Sequence, residues 1–125
     1  MTLQAMEQTC DLISLALAEI RKGIRARLQP AEFLDSFWRL QDNLARIVDA
    51  ASDNPTETLR YLKSKHSAFS RNIIAVLSIL TNGCWTRNSG IKASCDAVNE
   101  MLIKLEQLKE LSNAKTATAS NGHSG

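Results

Sequence analysis

Glycine and proline are scarce, five and two in a chain of 125 residues, and only 5% of the residues are aromatic. An all-β chain needs a turn every ~8–12 residues, which so few turn formers do not supply. Helix is therefore the expected state, with aliphatic side chains filling the core. Three cysteines, Cys10, Cys84 and Cys95, cannot all pair with one another, and none stands in a Cys-x-x-Cys spacing. Zinc and redox chemistry are thus not indicated, and a reducing compartment is expected. The longest strongly apolar stretch, Ile73 to Leu80, is broken only by Ala75 and Ser78 and falls far short of the ~20 residues of a bilayer span. The first residues, Met1 to Glu7, lack a basic region followed by an apolar run. A cytoplasmic protein without a membrane span is expected.

What is abundant is heptad-like aliphatic spacing. With 44% apolar and 22% charged residues, the chain has the balance of one globular domain. Leu3, Met6, Cys10, Ile13, Leu17, Ile20 and Ile24 alternate steps of three and four, which predicts a first helix. Leu12 and Leu15 lie off that stripe and are expected to widen its buried face. Pro30 ends the pattern and suits the first turn of a second helix, from about Ala31 to Ala51, with Phe33, Phe37, Leu40, Leu44 and Ile47 inward. Its outer face carries the ladder Asp35, Arg39, Asp42, Arg46 and Asp49, whose pairs add only ~0.2–0.5 kcal/mol each and read as a solvated surface.

Asn54, Pro55 and Glu57 form a capping signal for a third helix. Its stripe, Leu59, Leu62, His66, Phe69, Ile73, Val76 and Leu80, predicts one continuous rod ending at Asn82-Gly83 in a left-handed stop. Ile74, Leu77 and Ile79 make its second half apolar almost all round, so that half is expected to be the most buried part of the fold. After the loop Gly83–Gly90, a fourth helix follows with Asn88 or Ser89 as cap and Ile91, Cys95, Val98, Leu102 and Leu105 as stripe. The expected architecture is all-α: an antiparallel up-down-up-down four-helix bundle over residues 1–112. Residues 113–125 carry no apolar side chain larger than Ala, and a disordered C-terminal tail is expected there.

The sequence holds no metal or cofactor signature. Neither His66 nor His123 has a glutamate three residues before it, which excludes the inward Glu-x-x-His pair of a di-iron bundle. Phosphate-binding glycine loops, a Gly-x-Ser-x-Gly elbow and His-Glu-x-x-His are likewise missing, so no catalytic residue and no cofactor is expected. Arg60 and His66, six apart on the third helix, loosely resemble the Arg-x4–6-His element of helical HEPN-type ribonucleases. That resemblance covers seven residues and implies RNA cleavage centred on this pair as a distant alternative.

Charge distribution points elsewhere. Net charge is only +2, yet Arg21, Lys22, Arg25 and Arg27 crowd the end of the first helix. Cations there face the negative end of the helix dipole, and Glu32 and Asp35 lie just across the Pro30 corner. In the expected topology the same pole receives Arg87 and Lys92, with Trp85 in the loop. The reading is a non-catalytic adaptor or accessory subunit that binds another macromolecule through this basic pole. A protein partner is expected first and nucleic acid second. Spare apolar residues at Leu12, Leu15, Leu34 and Ile74 suggest homo-oligomers.

Overall fold

The computed structural model describes residues 1–124, with side chains through Ala114. Among the described residues there are five α-helices, a single turn of 3-10 helix and no strand, so the fold is all-α. The helices are α1 (Leu3–Arg25), α2 (Pro30–Asp53), α3 (Pro55–Lys65), α4 (Phe69–Asn82) and α5 (Ser89–Ser124), with the 3-10 turn at Trp85–Arg87.

Local chemistry starts each helix. The Thr2 hydroxyl accepts from the Ala5 N–H at 3.1 Å, and Pro30 and Pro55 stand in first turns where a missing N–H is harmless. Asn54 caps α3, its side-chain oxygen facing the Glu57 N–H at 3.5 Å and its amide donating to the Glu57 carboxylate at 3.1 Å. Asn88 caps α5 by accepting from the Ile91 N–H at 3.1 Å.

α1 and α2 run antiparallel. Gly23 meets Phe33, while Glu19 accepts from the Ser36 hydroxyl at 2.9 Å and pairs with Arg39 at 3.1 Å. α2 packs in turn against α5, α4 leans on α1, and α3 touches α2 and α5. One apolar core joins all five helices, with Ile13, Ile20, Phe37, Leu40, Leu44, Ile47, Ile73, Leu80, Ile91 and Val98 fully enclosed. Each such side chain gains ~1.5–3 kcal/mol over exposure.

Three expectations are corrected. The third rod is two helices, because α3 stops at Lys65 and the chain turns through His66 (φ −137°, ψ 52°) before α4 begins. A helical His66 would carry its imidazole into the core stripe, where an unpaired polar ring is costly. In the bend it is half-buried against Tyr61, with ring centroids 5.5 Å apart. The second half of that rod is not the most buried region: Ile73, Val76 and Leu80 are enclosed, but Ile74 and Ile79 are exposed and Leu77 is half-buried. α4 packs along one stripe, so its other apolar residues have no facing helix. For the same reason Leu12 and Leu15 lie on the surface, as does Trp38. The helix stop after Asn82 places the left-handed residue at Cys84 (φ 63°), while Gly83 keeps an ordinary φ of −84°. α5 is helical backbone from Ser89 to Ser124.

Candidate functional site

The corner between α1 and α2 is a six-residue C-terminal closure. Leu28 N–H donates to Gly23 C=O at 3.0 Å, and Arg27 N–H donates to Ile24 C=O at 3.1 Å. This is a Schellman motif, whose left-handed position is usually glycine. Here Arg27 occupies it with φ 53°. Among the described residues, Arg27 and Cys84 are the two non-glycine residues of positive φ, and both close helices that end at this pole.

Aromatic rings connect the corner to the core. The α2 backbone departs from helical geometry at Phe33 (φ −130°, ψ 15°), and the buried ring there lies 5.8 Å from Phe37 and 5.4 Å, edge to face, from Trp85. Gly23 makes this possible, since a Cβ at that position would stand 3.0 Å from the Phe33 ring. Gly83 does the same for the indole: a Cβ there would lie 2.9 Å from Trp85 Cδ1 and 3.0 Å from Nε1. Trp85 is thus half-buried, closing the end of the core with one side still open to solvent.

The acids expected to neutralise the corner are engaged elsewhere. The Glu32 carboxylate accepts from the Gln29 N–H at 2.7 Å, and Asp35 takes Arg39 at 3.0 Å, which is the part of the outer ladder that forms an ion pair. Among the described residues, Arg21, Lys22, Arg25, Arg27 and Arg87 have no carboxylate within ion-pair distance. Lys92 does, pairing with Asp96 at 3.0 Å on the surface of α5. Arg21 is half-buried; Lys22, Arg25, Arg27, Arg87 and Lys92 are exposed. The Phe33–Trp85 contact ties the turn bearing Arg87 to the helix pair bearing the other four cations.

Sequence periodicity placed Phe33 on the core stripe but gave no sign of its role under Trp85. The available signal was Gly23, an isolated glycine inside a helix, which costs ~1 kcal/mol relative to Ala unless something needs the space.

Cys10 and Cys95 are buried in the core, whereas Cys84 is exposed. Burial raises the Cys10 thiol from 9.0 to about 11, with Asp11 adding to the effect, and burial raises Cys95 in the same direction. Among the described residues no cluster of three or more His, Cys, Asp and Glu could hold a metal ion, and no helix is long and apolar enough to cross a membrane.

A second concave region lies well away from the pole. α3, the start of α4 and the far part of α5 line an open-sided cavity of about 400 Å³, and both Arg60 and His66 belong to its lining. Comparison with known proteins finds no family model, no curated protein and no solved structure that matches this chain.

Proposed function

We propose that this chain is a non-catalytic adaptor or accessory subunit that binds an acidic segment of a protein partner through its basic pole. In this reading α3 and α4 form one bent arm, and the chain is an antiparallel up-down-up-down four-helix bundle. The ends of α1 and α4 and the starts of α2 and α5 then share one end. The observation that carries the proposal is the set of five cations without carboxylate partners beside a half-buried indole. Dipole compensation accounts for cations at the end of α1, at ~0.3–1 kcal/mol each, but not for Arg87 or for a left-handed Arg27.

An acidic peptide fits better than a nucleic acid base. Trp85 is half-buried, in a T-shaped contact with Phe33 and over Gly83, so only part of the indole is left for stacking, while its open side suits apolar burial. The surface residues Leu12, Leu15 and Ile74 further support self-association as a separate property of the same subunit.

The test compares the native chain with the triple variant Arg25→Glu, Arg27→Glu, Arg87→Glu, using polyglutamate and a single-stranded oligonucleotide as probes. All three side chains are exposed, so the helical circular dichroism signal should persist. Polyglutamate binding should disappear in the variant. Equal binding by the folded variant refutes the reading, and preferential capture of the oligonucleotide by the native chain transfers it to nucleic acid.

A further inference from the structure

The bend between α3 and α4 lies beside a cavity that these two helices line together with the far part of α5. Its volume is about 400 Å³, within the usual size range for small-molecule sites. The floor is apolar: Leu62 and Leu105 are core residues and Phe69 is half-buried beside them. The rim is cationic. Arg60, Lys63 and Lys109 line it against a single carboxylate, Glu106. None of these three cations has an ion-pair partner among the described residues, and Glu106 is not paired with any of them.

Two further features come from the helix break itself. His66 leaves the helical path and lines the cavity with its ring held against Tyr61. α4 starts just beyond it without a side-chain cap, and Ser67 in the bend and Ser70 in the first turn of α4 also line the space. A continuous α3–α4 rod would offer neither.

We infer that this cavity binds a small organic anion, an acidic headgroup on an apolar body, with the headgroup held by Arg60 and Lys109 and the body on Leu62, Phe69 and Leu105. Apolar floor and cationic rim together exclude the two simpler ligands. A bare inorganic anion leaves the floor wet, and a neutral hydrocarbon leaves the cations without a partner. The site is independent of the basic pole, because Leu105 lies fifteen residues along α5 from Gly90, roughly 20 Å of helix.

The experiment is isothermal titration calorimetry of the full chain with octyl phosphate and octanoate below their micellar concentrations, beside inorganic phosphate and octanol. At least one of the amphiphilic anions should bind saturably at one site, about tenfold or more tighter than phosphate or octanol. The better of the two identifies the headgroup. The variant Arg60→Gln, Lys109→Gln, altered only at exposed positions, should weaken that binding about tenfold, while the triple variant at the basic pole should retain it. Three results each overturn the inference: no saturable binding, octanol binding as well as the anions, or affinity unchanged in the Arg60→Gln, Lys109→Gln protein.

Discussion

Arg27 offers a direct reading of what the pole costs the fold. Its backbone sits at φ 53° in a Schellman closure held by the 3.0 Å bond from Leu28 to Gly23 and the 3.1 Å bond from Arg27 to Ile24. A side chain with a Cβ in that region is strained by ~1–2 kcal/mol, whereas glycine is not. Glycine gives back ~0.4–1 kcal/mol through the greater freedom of the unfolded chain. Removing the guanidinium also loses a cation at the helix C-terminus, so the proper comparison is Arg27→Gly against Arg27→Ala, which share that loss. The glycine protein should then be the more stable by about 0.5–1 kcal/mol. For a domain of this size that is a melting temperature higher by about 2–4 °C. Differential scanning calorimetry, with urea unfolding as a check, measures it. Equal stability, or a more stable alanine protein, would falsify the left-handed corner. If the pole binds acidic protein, both variants should lose affinity for polyglutamate to the same extent, because the charge and not the turn makes the contact.

Other perturbations separate core, pole and pH response. Leu80→Ala should cost about 2–5 kcal/mol by urea unfolding, since Leu80 is fully enclosed, whereas Ile74→Ala, half-exposed one turn and a half earlier, should cost about 0.5 kcal/mol or less. Comparable losses at the two positions contradict the one-sided packing of α4. Gly83→Ala places a Cβ 2.9 Å from the indole and should destabilise by about 1–3 kcal/mol while shifting Trp85 emission to the red; unchanged emission means the ring does not lie over Gly83. The folded chain keeps the Cys10 proton up to about pH 11, while the unfolded chain releases it near 9.0. Stability should therefore be intact below pH 9.0 and fall by about 2–3 kcal/mol as pH rises toward 11, and Cys10→Ala should flatten that fall.

Much of the fold was legible because periodic burial leaves a direct trace. The α1 and α2 stripes, the Asn54-Pro55 start and the Asn88 cap all follow from local chemistry acting within a few residues. The break at His66 was not legible, since no proline or glycine marks it and Leu62 and Ile73 keep the phase of one unbroken helix. The cost of burying a helical His66 favours the break, and that cost depends on neighbours supplied by the fold. Leu12, Leu15, Ile74 and Ile79 were overestimated as core for a related reason: periodicity reports which residues are apolar, not how many helices are present to cover them. At the pole, charge clustering was readable from spacing. The commitment of Glu32 to Gln29 and of Asp35 to Arg39, which leaves the cations without partners, arises from side-chain geometry that spacing does not encode. The cavity beside Arg60 belongs to the same class, because it is lined by helices that only the fold brings together.

The chain carries two tryptophans that report on different surfaces, Trp85 at the pole and Trp38, 57% exposed, on the outer side of α2. A nitrogen–proton correlation spectrum therefore shows two indole signals, assigned with Trp38→Phe. Titration with polyglutamate should move the Trp85 indole together with the backbone amides of Arg25, Arg27 and Arg87, and leave Trp38 in place. Movement of Trp38 with Trp85 and these arginines unchanged would contradict the assignment of the basic pole as the interaction surface.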